Sequence, residues 1–147
     1  MTFARSDQGA RDSATAASEC RIAREMFEAD TASRAMGIEI RDLAPGRAVA
    51  AMEVREWMVN GHGITHGGLV FTLADTAFAL ACNGYDESAV GARADIRYLR
   101  PTNLGDVLIA EAVERARFGR NGIYDVTVRC GGRLVAEFRG DSRTLRT

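Results

Sequence analysis

One carboxylate and two histidines lie in a glycine-rich and apolar stretch of this 147-residue chain. The stretch runs from Asn60 to Asn83 and reads NGHGITHGGLVFTLADTAFALACN. Its segment from Leu69 to Cys82 has helical length and is apolar nearly all round, which predicts a buried helix with Asp75 inside the core. Because an unpaired buried carboxylate is costly, we expect Asp75 either to be paired or to take part in chemistry.

The Gly67-Gly68 pair before this helix could stabilise a negatively charged oxygen. The first N–H groups of a helix lack intrahelical acceptors and lie at the positive end of its dipole. Glycine also lets a carbonyl group approach the backbone closely. A carboxylate base or nucleophile and such an oxyanion site together would suit attack on a carbonyl group.

The distance between Asp75 and the glycine turn decides whether one chain could form the site alone. Asp75 follows His66 by nine residues, about 13 Å along a helix axis. That separation is too large for Asp75 and the glycine turn of the same chain to contact one substrate carbonyl. A second copy related by a two-fold axis could bring its own turn to Asp75, so the spacing is compatible with a shared site.

Structural interpretations of the same residues stay open from the sequence. The two glycines could form only a tight turn, His66 could cap a helix, and Asp75 could simply bond backbone N–H groups. His62 and His66 have the spacing of zinc-binding helices, but Gly63 between them disfavours a helix and no glutamate is present, so no metal is expected. The glycines also miss the dinucleotide fingerprint by one residue, so no cofactor is expected.

Composition excludes several classes of protein. The formal net charge of −1 gives no reason to expect nucleic acid or an anionic membrane as a partner. No apolar run approaches the ~18 residues of a membrane span, and the N-terminus lacks the pattern of a secretory signal. Three widely spaced cysteines argue against a disulfide framework. We therefore expect a cytoplasmic protein.

The remaining pattern predicts the elements that position this stretch. Residues 1–18 are expected to be a disordered tail, followed by one domain over residues 19–147. An outer helix is predicted from about Glu19 to Ala35, because apolar residues recur there at helical spacing up to Gly37. The predicted strands are Ile38–Leu43, Arg47–Val54, Ala89–Leu99, Val107–Arg117, Ile123–Arg129 and Leu134–Arg143.

These elements indicate an α+β fold in which a curved antiparallel sheet of about six strands wraps around the central helix. Four consecutive turn-linked strands after the helix leave little alternative to antiparallel pairing. The order of elements resembles the hotdog fold. Because a single wrapped sheet leaves its edges bare, dimerisation is expected.

Several short motifs strengthen that resemblance. They are similar to the signature of the phenylacetate-pathway acyl-CoA thioesterases, a branch of the hotdog superfamily, and the similarity covers roughly Met26 to the C-terminus. The motifs are Asn60-Gly61-His62, His66-Gly67-Gly68, Leu73-Ala74-Asp75-Thr76-Ala77-Phe78-Ala79, Leu99-Arg100-Pro101, Gly122-Ile123-Tyr124-Asp125 and Phe138-Arg139-Gly140.

The resemblance implies a role for each matched residue. Asp75 would activate a water or attack the thioester carbonyl, and the Gly67 N–H would bind the carbonyl oxygen. Asn60 and His66 would position water and substrate, and Thr76 would support the water. The resemblance also implies a site shared across a dimer, within a homotetramer built as a dimer of dimers. We assign the substrate contacts to Gly68, His62, Arg93 and Arg100, the two arginines because they could meet CoA phosphates.

The sequence thus predicts an acyl-CoA thioesterase, with an aromatic acyl group of the phenylacetyl type as substrate. The alternatives are a hotdog enoyl-CoA hydratase and a non-catalytic acyl-CoA or acyl-carrier binding module. A hydratase would be expected to place its catalytic Asp and His on one loop, whereas Asp75 falls in the middle of a helix.

Overall fold

One antiparallel sheet of six strands forms the frame of the molecule, as the sequence predicted. The computed structural model describes residues 19–146. The strands are β1 (Glu39–Ala44), β2 (Arg47–Glu53), β3 (Ala89–Tyr98), β4 (Val107–Phe118), β5 (Asn121–Cys130) and β6 (Arg133–Thr144). Their order across the sheet is β1-β2-β4-β5-β6-β3, so β3 lies at the edge opposite β1.

Tight turns join the consecutive strands where the sequence placed them. The Pro45-Gly46 turn joins β1 to β2, and Gly46 has a φ of +77°, which favours glycine. Gly131-Gly132 joins β5 to β6 in the same way. The turn after β4 is shorter than predicted, because Asn121 and Gly122 already pair within β5 and only two residues reverse the chain.

The long central helix connects β2, near one edge, to β3 at the other, and therefore crosses the face of the sheet. We number the α-helices in chain order, so this is α3 (Gly67–Cys82), preceded by a short 3-10 turn, Glu56–Met58. Nine of its sixteen residues are buried. Phe78 packs edge-on against Tyr124 of β5, with ring centroids 5.6 Å apart, and against Phe138 of β6 at 5.9 Å. None of the helices between residues 19 and 146 has the length and apolarity to cross a membrane.

The predicted N-terminal helix is present but is divided into two. Helix α1 (Arg21–Ala29) ends at Asp30, and α2 (Thr31–Ala35) begins immediately after it. Asp30 has extended backbone angles, and its side chain caps α2 by accepting a hydrogen bond from the Ser33 N–H at 2.9 Å. A capping aspartate within the periodic stretch therefore interrupts the helix. The tail predicted for residues 1–18 lies outside the described residues.

Strand β3 is the open edge of the sheet. Within the described residues it pairs only with β6, and eight of its ten residues are exposed. Ala92 and Ala94 are among the exposed ones. The alternation of side chains therefore does not by itself bury a face of β3, because within residues 19–146 the central helix covers only part of the strand.

Candidate functional site

The start of α3 leaves one backbone donor free. His66 is the N-cap, and its ring Nδ1 accepts a hydrogen bond from the Gly68 N–H at 3.1 Å. The N–H groups of Leu69 and Val70 donate to the His66 carbonyl oxygen at 3.0 and 3.3 Å. Among residues 19–146, no acceptor takes the N–H of Gly67. Gly67 therefore offers the one unpaired N–H of this turn, at the positive end of the helix dipole.

Asn60 holds the loop that leads into this turn. Its side-chain Oδ1 accepts hydrogen bonds from the N–H groups of His62, at 2.9 Å, and Ile64, at 3.4 Å. The Thr65 N–H donates to the Thr102 carbonyl at 2.9 Å, and the two threonine hydroxyls lie 2.7 Å apart. These bonds fix the loop against the segment after β3. The side-chain oxygen of Asn60 is thus used structurally, which leaves its amide NH₂ for a ligand.

A cavity of about 420 Å³ opens beside the free Gly67 N–H. Its lining is largely apolar and includes Val70, Leu99 and Val135, with the Asn60 side chain also at its wall. Its size falls within the usual range of small-molecule sites. An apolar cavity with few polar groups suits the acyl or pantetheine portion of a substrate better than its charged portion.

Tyr98 is a residue of this site that the sequence analysis did not identify. Its hydroxyl donates to the Gly67 carbonyl oxygen at 2.8 Å, and its ring lines the same cavity. A Cβ atom added to Gly67 would lie 3.1 Å from the Tyr98 ring. The only available signal was its position near the end of the predicted strand Ala89–Leu99, immediately before Leu99-Arg100-Pro101.

Asp75 is exposed in the single chain, so the prediction that it is buried in the core is wrong for one subunit. The helix stripe of Gly68, Thr72, Asp75 and Ala79 is only partly covered. The reason is that this stripe faces the open edge of the sheet at β3. The rest of the helix is packed as predicted.

The surroundings of Asp75 nevertheless change its titration. It lies in a pocket of about 340 Å³ whose walls include Phe78, Ala92 and Ala94, so its carboxyl is partly removed from water although the residue is exposed. Partial burial raises the pKa of Asp75 above its ordinary value, and the negative charge of Asp30 raises that pKa further. A raised pKa brings a carboxylate closer to the working range of a general base.

Thr76 points away from this pocket. It is 7% exposed, and its hydroxyl oxygen lies 3.0 Å from the hydroxyl oxygen of Ser33 in α2. The Thr76 hydroxyl is therefore already used in a buried hydrogen bond, which it would have to give up to support a water molecule as predicted.

The structure divides the predicted site residues into two groups. Asn60, His66, Gly67, Gly68 and Arg100 lie at the N-terminal end of α3 or along the cavity beside it. The second group, Asp75 and Arg93, shares the pocket at the middle of the helix. Because Gly67 and Asp75 are eight residues apart in one continuous helix, about 12 Å of rise separates them.

Two of the predicted substrate contacts, His62 and Arg100, have different surroundings. His62 is exposed in the loop, and its backbone N–H, not its ring, makes the hydrogen bond to Asn60. The Arg100 guanidinium donates to the Leu134 carbonyl at 2.8 Å, although Arg100 also lines a second cavity of about 400 Å³ with Arg133. Between residues 19 and 146, no three His, Cys, Asp or Glu side chains come together as metal ligands would.

Comparison with known proteins adds a family context to this geometry. A model of the thioesterase superfamily matches residues 62–137. The acyl-coenzyme A thioesterase PaaI of Escherichia coli K12 is 43% identical over 124 residues, which cover 84% of this chain and 89% of PaaI.

Solved structures agree with that match. The E. coli PaaI structure superposes with a TM-score of 0.83 at 41% identity, covering 86% of this chain and 92% of PaaI. A hypothetical thioesterase from Streptococcus pneumoniae TIGR4, solved with coenzyme A, superposes with a TM-score of 0.70 at 26% identity, and the match covers 73% of this chain and 87% of that protein. The sheet, the central helix and the order of elements are therefore those of the hotdog fold.

Proposed function

This chain belongs to the thioesterase superfamily, in the branch of PaaI, and is a thioester hydrolase; we propose that it converts acyl-CoA to the free acid and CoA at a site formed by Asp75 and Gly67. The observation that carries the proposal is the Gly67 N–H at the start of α3, which has no acceptor within residues 19–146 and belongs to a residue that lines an apolar cavity of substrate size. The CoA bound to the pneumococcal relative supports the choice of acyl-CoA.

Gly67 would stabilise the reaction at the carbonyl oxygen. As a nucleophile adds to the thioester carbon, negative charge develops on that oxygen, and the N–H donates a hydrogen bond to it. Loss of one such donor costs about 2.7–4 kcal/mol of barrier in other enzymes. His66 supports the role indirectly, because its ring occupies the neighbouring Gly68 N–H and defines the start of the helix.

Asp75 would supply the base or the nucleophile. As a base, it takes a proton from water while the water oxygen adds to the carbonyl carbon; collapse of the tetrahedral intermediate then expels the CoA thiolate, which is protonated. As a nucleophile, its carboxylate forms a mixed anhydride with release of CoA, and water hydrolyses that anhydride. The raised pKa of Asp75 supports the base route, because proton transfer is most effective when the pKa lies near the operating pH.

The separation of Gly67 from Asp75 supports a site shared by two copies of the chain. About 12 Å of helix lies between them, so one carbonyl group cannot contact both residues of one chain. The exposed edge strand β3 borders the Asp75 pocket. A second copy placed along β3 would pair this edge, cover Asp75 and bring its own Gly67 turn to the carboxylate.

The substrate would lie along the cavity next to Gly67. The apolar wall formed by Val70, Leu99 and Val135 suits an aromatic acyl group of the phenylacetyl type. Arg100 lines both this cavity and the neighbouring one, where Arg133 adds a second positive charge, so a CoA phosphate could be bound there.

The chain's compartment and assembly are part of the same proposal. Its cysteines Cys20, Cys82 and Cys130 are free thiols in the structure, which suits a reducing cytoplasm. Two such dimers would form the tetramer implied by the family resemblance.

The experiment that tests the function is a panel of acyl-CoA esters assayed by release of free thiol. Phenylacetyl-CoA should be hydrolysed with higher kcat/KM than acetyl-CoA or palmitoyl-CoA. Hydration of crotonyl-CoA without thiol release would favour the hydratase alternative. Binding of acyl-CoA with neither reaction would identify a binding module and overturn the proposal.

A further inference from the structure

A chain of buried hydrogen bonds connects the N-terminal helices to the helix that carries Asp75. Asp30, between α1 and α2, accepts the Ser33 N–H at one carboxylate oxygen, at 2.9 Å, and the Ser33 hydroxyl at the other, at 2.5 Å. The Ser33 hydroxyl oxygen lies 3.0 Å from that of Thr76. Ser33 is 1% exposed and Thr76 is 7% exposed, so water does not compete for this contact.

The donors and acceptors in this series of hydrogen bonds follow from the Asp30 carboxylate at one end of it. An ionised carboxylate only accepts hydrogen bonds, so Ser33 uses its single hydroxyl proton on Asp30. The oxygen of Ser33 can then only accept from Thr76, which must donate. Thr76 directly follows Asp75 in the middle of α3. The charge of Asp30 therefore fixes the orientation of the hydroxyl of Thr76, the residue that follows Asp75, on the buried side of α3.

We propose that Asp30 is a positioning residue of the thioesterase site, which fixes α3 at Asp75 through Ser33 and Thr76 and maintains a negative charge near Asp75. The inference rests on the proposed function of Asp75. The α1–α2 junction would thus position the part of α3 that carries Asp75, in addition to the glycine turn at the start of that helix.

The charged groups around Asp75 support this assignment. Asp30 lies at the α1–α2 junction and is connected through Ser33 to Thr76, the residue after Asp75. Arg93 lines the Asp75 pocket from β3 with the opposite charge. Cys82, on α3 itself, is also close enough to interact, but burial raises the pKa of its thiol to about 12, so the thiol is neutral at working pH. Asp30 is thus the group that disfavours ionisation of Asp75, in addition to its partial burial.

The test is to replace the charge while keeping the helix cap. Asparagine and serine both cap helices well, so Asp30→Asn and Asp30→Ser should leave the start of α2 intact. Each should shift the acidic limb of the kcat/KM profile for phenylacetyl-CoA to lower pH, because removing a negative neighbour favours ionised Asp75. Asp30→Glu should keep the midpoint close to that of the wild type. Glu28→Gln removes an exposed carboxylate from α1 and is the matched control, with no shift expected.

A second readout separates this inference from the function on which it rests. The titration of the Asp75 carboxyl, followed by carbon-13 NMR in the folded protein, does not require catalysis. Its midpoint should fall in Asp30→Asn and stay unchanged in Glu28→Gln. An unchanged or higher Asp75 midpoint in Asp30→Asn, or an equal fall in both variants, would overturn the inference. If instead Asp75→Asn hydrolysed phenylacetyl-CoA at the wild-type rate, the proposed function would fail while the NMR result still stood.

Discussion

Replacing Gly67 by proline would remove the proposed oxyanion donor without breaking a hydrogen bond of the fold. The Gly67 N–H has no acceptor within residues 19–146, and Gly67 is the first residue of α3, where proline is well tolerated. His66 before it already has the extended angles, φ −61° and ψ 127°, that a residue preceding proline adopts. Proline also restricts the unfolded chain, so the stability of the variant should be close to that of the wild type.

The side chain introduced by proline needs its own control. A Cβ atom at position 67 would lie 3.1 Å from Cζ and 3.2 Å from the hydroxyl oxygen of Tyr98, so this ring must move by a few tenths of an ångström. Tyr98 is 53% exposed, which leaves it room to do so. Gly67→Ala adds the same Cβ but keeps the N–H. The comparison of Gly67→Pro with Gly67→Ala therefore separates replacement of the N–H from the steric effect of the added Cβ.

The expected difference between the two variants is large. Loss of one oxyanion donor costs about 2.7–4 kcal/mol, so kcat of Gly67→Pro should be roughly 10²- to 10³-fold below that of Gly67→Ala. The assay is steady-state thiol release from phenylacetyl-CoA, with thermal unfolding of each variant to verify folding. If both variants fold and their kcat values agree within about tenfold, which is about 1.4 kcal/mol, the Gly67 N–H is not the oxyanion donor.

Three further predictions, made with four variants, test the titration of Asp75, the positioning residues and the buried hydrogen bond. The pKa of Asp75 is raised in the folded state, so its contribution to stability is complete below the unfolded pKa and is lost as pH rises through the folded pKa. Asp75→Asn should therefore have a higher Tm than the wild type at pH 7–8, and this difference should disappear in acid. Calorimetry across the pH range measures both. Asn60→Ala and His66→Ala should lower kcat less than Asp75→Asn does, and a His66→Ala variant as inactive as Asp75→Asn would favour a histidine-based mechanism. Ser33→Ala leaves the buried Thr76 hydroxyl without its partner and should cost about 1–3 kcal/mol of unfolding free energy in urea titrations, whereas a loss below about 0.5 kcal/mol would contradict the hydrogen-bond assignment.

Local patterns were sufficient to predict the elements of this fold. The apolar run after Gly68 predicted the central helix, and alternation with glycine turns predicted all six strands. The capping role of His66 was one of the alternatives that the sequence left open, and the structure supports it. The break at Asp30 was missed because the apolar spacing continues across it, although aspartate is a strong capping residue.

Contacts between distant parts of the chain could not be predicted in the same way. Thr76 and Ser33 are 43 residues apart, and Tyr98 and Gly67 are 31 apart, so no local periodicity connects either pair. The exposure of Asp75 has a related cause. Periodicity identifies the stripe of α3 that is polar, but whether that stripe is covered depends on β3 lying at the edge of the sheet.

The most direct test of the central claim is complementation between two inactive variants. The claim is that Asp75 of one copy and the Gly67 N–H of another act on the same thioester. Asp75→Asn and Gly67→Pro homodimers should each be nearly inactive. After the two are mixed, unfolded and refolded, random pairing makes about half of the dimers mixed, and each mixed dimer has one site with both groups intact and one with neither. Recovery of up to about a quarter of wild-type thiol release is expected. No recovery, in a sample whose mixed dimers are confirmed by native mass spectrometry, would mean that each site is built within a single chain.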